Sequence, residues 1–473
     1  MPAPIDRRSF LSNSLGVAAA AAVGLRVNAQ SPGEPVVRDY VLTARPSTVF
    51  TADGRPWETW TYNGQVPGPE LRVREGERLR VTLDNQLPEP TTIHWHGIPL
   101  PNPMDGVPDV TQPAVMPGER FTYEFLATTP GTYFYHSHVG LQLDRGLVGS
   151  LVIEPRTDTL AVDREQTLVL DDWLTMTPEE AMAAMATSPG GGMGMGGGMM
   201  GGMASSDPAY AGYLANGRIT AGAAPITIRP GERLRLRIVN AAAATTFRLG
   251  LTGHRLVVTH TDGQEVEPVT VDTLIIGMGE RYDVVVEGTN RGAWAVIAGS
   301  ADSTVPGVVV PFVYEGEQGT TAPPFVWPTA LLNGRTLRYG DLAGRGLGLN
   351  ASTSARAIPL TLSGPMMGGT TWTINGVPYA SAAPITIREG ERIRLQFRNA
   401  SMVRHPMHLH GHFLEIVDAA SGRPTGLVKD TVLVEPMGQV HVDFMADNPG
   451  RWLMHCHHAY HMEAGMARLI EYR

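Results

Sequence analysis

Four short runs of the chain are dense in histidine: HWHG at 94–97, YHSH at 135–138, HPMHLHGH at 405–412 and HCHHAYHMEAGM at 455–466. They hold most of the fifteen histidines and the only cysteine, Cys456. Imidazoles with one thiolate and a trailing thioether suit copper, and there are more of them than one ion needs. His405, Cys456, His461 and Met466 form a set apart. Two imidazoles, a thiolate and a weak axial thioether are the ligands of a blue-copper electron-transfer site. Cys456 sits between His455 and His457, so few covalent bonds separate its sulfur from either ring. Single electrons collected at the first site could pass to a second site holding several coppers.

The elements that must position these groups repeat along the chain. Asn63-Gly64 precedes a strand–Gly turn–strand segment ending at Asn85; Asn216-Gly217 and Asn375-Gly376 precede similar segments ending at Asn240 and Asn399. Leu79, Val81 and Leu83 alternate with Arg78, Arg80 and Thr82, which is the pleat of a half-buried strand. A second match closes each unit: Gly118-Glu119-Arg120 leads to Gly131, Gly279-Glu280-Arg281 to Gly292, and Gly438-Gln439-Val440 to Gly450. Three units of short strands with Gly/Pro turns predict an all-β chain of three consecutive Greek-key β-sandwich domains.

Counting from these anchors pairs the ligands. His94 and His96 stand nine and eleven residues after Asn85, as do His408 and His410 after Asn399. His136 and His138 stand five and seven after Gly131, as do His455 and His457 after Gly450. The same offsets in the middle unit give Leu249, Leu251, Ile297 and Gly299. Residues i and i+2 of a strand share a face, so each His-x-His pair offers two rings to one side. Four pairs from the outer units can meet across a pseudo-two-fold interface around several ions, with the middle unit as spacer.

Net charge is −9, with acids and bases mixed and no basic stripe, which argues against a nucleic-acid partner. Asp6-Arg7-Arg8-Ser9-Phe10-Leu11 has the twin-arginine form, an apolar run Leu15 to Val23 follows, and Val27-Asn28-Ala29 offers a cleavage site. Residues 1–29 are therefore read as a signal peptide, leaving an exported chain, periplasmic in a bacterium, with no membrane anchor after processing. A lone thiol in an oxidising compartment has no disulfide partner, and metal coordination would occupy it.

Taken together, these motifs make the chain resemble a three-domain multicopper oxidase, the family of laccases and bacterial cuprous oxidases, over essentially all of the mature sequence. The resemblance implies cupredoxin-like domains, drawn at 30–156, 157–325 and 326–473, and four copper ions. His94 and His408 would hold the type 2 copper. His96, His136, His138, His410, His455 and His457 would hold the type 3 pair, and His405, Cys456, His461 and Met466 the type 1 ion. His461 would be the point of electron entry, and Asp105 would assist proton delivery, although an Asp before Gly also suits a plain turn. Many bacterial members carry Glu directly after the last type 1 histidine; here Met462 stands there and Glu463 follows. His254, His260, His412, His441 and His458 receive no metal role, but His412 and His458 lie where they could orient ligands.

Residues 176–203 contain eight Met and nine Gly, and from Gly190 to Met203 almost nothing else. That stretch is too Gly-rich for a stable helix and reads as an exposed loop in an insertion of about 176–206. Its thioethers (Met193, Met195, Met199, Met200 and Met203) favour Cu(I) and could recruit it, or could serve a linker as oxidation sinks. The reading is a monomeric oxidase coupling oxidation of phenols, aromatic amines or Cu(I) to reduction of dioxygen to water, with a part in copper tolerance. The alternative is a non-enzymatic copper-storage or assembly protein on the same scaffold.

Overall fold

A computed structural model describes residues 35–50, 56–187, 207–303, 305–317, 323–346, 348, 355–365 and 370–473. The signal segment and the methionines at 193–203 lie outside the described residues.

The strand Arg78–Asn85 shows how the sequence builds the sheets. Leu79, Val81 and Leu83 are buried while Arg78, Arg80 and Thr82 are only half-buried. In the first unit, strands Pro56–Tyr62, Val37–Phe50, Arg78–Asn85 and Arg120–Leu126 form one sheet in that order. Strands Gly68–Arg74, Val148–Glu154, Gly131–His136 and His94–His96 form the other. The second and third units repeat this order and widen each pair of sheets to six and five strands. In every unit the opening long strand runs parallel to the strand of the repeat, so the chain crosses over as a Greek key requires. The chain is all-β with three consecutive sandwiches.

The repeated asparagines have a structural task. Asn63, Asn216 and Asn375 have φ of 56°, 48° and 52°, and the glycines after them are also at positive φ, as a tight turn demands. Each amide bridges back to the strand before it; Asn63 accepts from Thr43 N and donates to Val41 O. Asn85, Asn240 and Asn399 are buried and close the loops leading to the next strand. Asn399 Nδ2 donates to Val403 O and Val434 O, as Asn240 Nδ2 does to Thr245 O and Ile276 O.

Two features depart from the sequence reading. The insertion opens with a helix, Pro178–Thr187. Thr177 Oγ1 accepts from Glu180 N at 3.2 Å and Glu180 Oε2 accepts from Thr177 N at 2.9 Å, a capping box on an Ala/Glu/Met-rich run with Pro at its first position. Met182 and Met185 pack against a core cluster that includes Ala459 and Tyr460. In addition, residues 326–346, drawn with the third unit, lie on the second. Thr336 and Gly344 bridge to Thr273 and Val266, and Leu337 and Leu342 enter the core.

Candidate metal centre

Two short strand pairs carry the histidines. His94–His96 pairs antiparallel with Gly131–His136, setting His94 opposite His136. His405–Leu409 pairs with Arg451–Cys456, setting His408 opposite His455. Trp95 and Leu409 turn into the sandwich cores, so their histidine neighbours face out of the sandwiches and into each other. His94 stacks on His410 with ring centroids 3.9 Å apart, and His96 on His408 at 3.8 Å, joining the first unit to the third. His138 lies 5.0 Å from His410 and 5.1 Å from His455; His457 lies 4.7 Å from His96 and 5.3 Å from His136. All eight predicted rings thus form one buried cage.

The middle unit does not follow the sequence count. There Gly250, not Leu249, pairs with Ile297. Leu249 and Leu251 point into the core. The register differs by one residue, and in a strand a slip of one exchanges the faces. Ile297 does face away from the core, as His136 and His455 do, but Phe325 and Trp327 cover it.

Copper fits this cage by the chemistry of its nitrogens. His410 Nδ1 donates to Asp105 Oδ2 at 2.9 Å and His455 Nδ1 donates to the Cys456 carbonyl at 2.9 Å. Both Nε2 atoms therefore carry lone pairs, and they face each other at 3.0 Å. Two lone pairs at that separation call for a cation between them. His94 Nε2, His96 Nδ1, His136 Nε2, His408 Nε2 and both nitrogens of His457 are buried without a partner. Burial first, and then neighbouring imidazoles, holds His96, His136, His138, His408, His410 and His457 well below the usual histidine range. Burial holds His455 at about 4. Neutral rings with free lone pairs are what a metal requires.

Two aspartates hold the rings, one from each outer unit. The Asp105 carbonyl accepts from His94 Nδ1 at 2.9 Å, and the Asp430 carbonyl accepts from His408 Nδ1 at 2.9 Å. Each carboxylate then crosses to the other unit: Asp105 to His410, Asp430 Oδ1 to His96 Nε2 at 3.1 Å. Asp105 is therefore more than a turn former. Gly106 after it has φ of 84°, and a Cβ there would lie 1.9 Å from Ile93 O, so only glycine lets the loop sit on the ligand strand. The sequence reading missed Asp430, whose contact with His96 spans 334 residues and leaves no local signal.

The remaining predicted ligands form a second cluster. Cys456 Sγ lies 3.6 Å from His405 Nδ1 and 3.8 Å from His461 Nδ1. Met466 is fully buried and tied to the same loop, its carbonyl accepting from Cys456 N and its N–H donating to the His461 carbonyl. The one-turn helix Ala459–Glu463 carries His461 back over the sulfur. Burial pushes the Cys456 thiol up and holds His405 down at about 3. Ser401 Oγ lies 2.8 Å from His405 Nε2, on the side of the ring away from the sulfur.

His461 itself is buried. Trp372 lies against one face at 3.7 Å and His458 against the other at 3.6 Å, nearly parallel. His458 Nε2 pairs with Asp207 at 3.0 Å, just after the insertion. His412 stacks on Tyr472 and touches only the His410 carbonyl among ligand atoms. Met462 lines a small cavity against His136, His138, His455 and His457, whereas Glu463 is exposed.

The chain matches multicopper oxidase family models at residues 43–158, 164–311 and 353–473. It is similar to multicopper oxidase MmcO of Mycobacterium tuberculosis, 38% identical over 99% of this chain and 96% of that protein. It is also similar to copper resistance protein A of Escherichia coli, 28% identical over 89% of this chain and 91% of that one. Among solved structures, the laccase of Botrytis aclada superposes with a TM-score of 0.79 at 26% identity, covering 92% of this chain and 87% of that one. Ligand clusters, sandwich order and relatives agree: the chain belongs to the multicopper oxidases, copper enzymes that take dioxygen as electron acceptor.

Proposed function

We propose that this protein is an exported oxidase that takes electrons one at a time from phenols, aromatic amines or Cu(I) and uses them to reduce dioxygen to water. The observation that carries this is the cage of eight buried imidazoles joined through Cys456 to a separate thiolate cluster. His405, Cys456, His461 and Met466 would hold one type 1 copper, His94 and His408 the type 2 ion, and His96, His136, His138, His410, His455 and His457 the type 3 pair. Bound copper supplies one-electron redox chemistry at the first cluster and dioxygen reduction at the second.

The chain's own residues do the rest. Cys456 is bonded through backbone to both His455 and His457, which gives a short covalent route between clusters. His461 receives electrons through the groups stacked on it, Trp372 and His458. Asp105 holds a buried carboxylate inside the cage, where it would assist proton delivery, while exposed Glu463 lines a cavity that reaches His138. Residues 1–29 direct export by the twin-arginine route, and the folded chain acts as a monomer in the periplasm or outside the cell. No helix among the described residues is long and apolar enough to cross a membrane. The likeness both to a copper resistance protein and to a laccase supports a role in copper tolerance alongside activity on phenols.

A substrate panel read by oxygen consumption on copper-loaded protein tests this. Cys456→Ser is expected to lose the blue absorption and to reduce oxygen consumption to background. Undiminished consumption by that variant sinks the Cys456-linked oxidase reading, and background consumption by the unaltered copper-loaded protein favours a storage protein. Deleting 190–203 is expected to slow Cu(I) oxidation more than phenol oxidation, and an equal effect on both removes the recruiting role of the methionines.

A further inference from the structure

The middle unit contributes no histidine to the cage, yet its Arg281 side chain reaches Asp430 beside it. Arg281 closes the Gly279-Glu280-Arg281 copy of the repeat. Its counterpart in the first unit, Arg120, is exposed and pairs with Asp84 at the surface. Arg281 is fully buried. Its Nε donates to Thr132 O of the first unit at 3.0 Å and its Nη1 to Gly279 O at 2.9 Å. Both terminal nitrogens reach Asp430 of the third unit, at 2.7 and 2.6 Å, and Asp262 lies 3.8 Å away. Room for this contact depends on Gly97, the last residue of HWHG. A Cβ there would lie 2.3 Å from Asp430 Oδ2 and 2.6 Å from Arg281 Nη2.

The consequence falls on His96. Its Nε2 donates to Asp430 Oδ1 at 3.1 Å, with Thr431 Oγ1 at 3.0 Å, so Nδ1 is the nitrogen left unpartnered. His94, His136 and His408 instead leave Nε2. Asp430 also lies with His96 and His408 in a trio whose ligand atoms are all within 4.8 Å of one another. A carboxylate so placed, without a cation on it, would compete for a metal. A bidentate guanidinium occupies both its oxygens. Asp105, in the corresponding place, has no such partner among the described residues.

We propose that Arg281 is a positioning residue of the cage. It holds Asp430 as the acceptor for His96 Nε2–H, so that His96 presents Nδ1, and it keeps the Asp430 carboxylate from acting as a ligand. This rests on the cage binding copper, but its first test does not need copper. Nitrogen-15 NMR of histidine-labelled, metal-free protein reads the His96 tautomer, expected to be the Nε2–H form. Arg281→Met is expected to mix the tautomers and to weaken copper retention in the cage about 10- to 100-fold, as loss of a ligand-orienting group does, with the blue absorption at Cys456 unchanged. Arg281→Lys, which cannot occupy both oxygens, should fall between. The double variant Arg281→Met/Asp430→Asn removes the unpaired charge and should recover most of the loss. If Arg281→Met does not accumulate as folded protein, the Lys and double variants carry the test. An unchanged tautomer and unchanged cage copper in the variants that fold would overturn the proposal. Unaltered protein that takes up no copper in the cage would instead overturn the copper reading.

Discussion

The outer units and the middle unit share a strand order but treat the same face differently. In the outer units the face turned away from the core carries histidines and is covered by the other outer unit. In the middle unit it carries Ile297 and is covered by Phe325 and Trp327 from its own linker. An apolar surface packed locally needs nothing from a distant part of the chain. A face of neutral imidazoles is completed only by the partner unit and a metal. The scaffold therefore tolerates both, and what decides between them is the side chain on alternate strand positions.

Four measurements sharpen this contrast. The largest effect is expected from acid on the metal-free protein. The shifted histidines crowd the outer units; the middle unit has only His254 and His260 among the described residues. Each folded-state pKa lies below the unfolded value of 6.5, so the unfolded chain binds protons first as pH falls. Their stabilisation is complete above about pH 6.5 and is lost on acidification toward about 4 for His455 and about 3 for His405. Calorimetry should show the outer units unfolding before the middle one as pH falls from 7 to 4, and a single pH-independent transition would contradict the contrast. Next, Leu251→Ala should cost about 2–5 kcal/mol in stability, since that side chain is core. Copper per chain should not change, and a loss of copper would mean that the sequence count, not the observed register, was right. Asp105→Ala should weaken cage copper about 10- to 100-fold and spare the blue absorption. The smallest change is Thr177→Ala, about 1 kcal/mol from the lost cap and read as a lower melting temperature.

Much of this was legible because it is local. Alternation in Arg78–Asn85, the Asn-Gly turns and the His-x-His offsets are all set by neighbours a few residues apart. Cys456 and Met466 were readable for the same reason. Leu249 and Leu251 misled because a loop one residue out of step reverses every side chain after it. The helix Pro178–Thr187 carried a readable Thr-Pro-Glu-Glu start, but the glycine tract after Gly190 dominated the composition of the segment. Asp430 and Arg281 were invisible for another reason. Asp430 meets His96 across 334 residues and Arg281 meets Asp430 across 149, and no spacing rule links such positions. The cover of His461 by Trp372 and His458 likewise needed coordinates.

The crosswise stacking of His94 on His410 and His96 on His408 joins segments more than 300 residues apart. Such contacts close very long loops, so they form late, after the sandwich cores. Ions held by rings of both units can gain their full ligand set only after that docking. Once bound, the ions act as rivets between the first and last units, and by mass action they add stability only to the docked arrangement. A chelator would accordingly loosen the seam between those units first, leaving three folded sandwiches strung on their linkers.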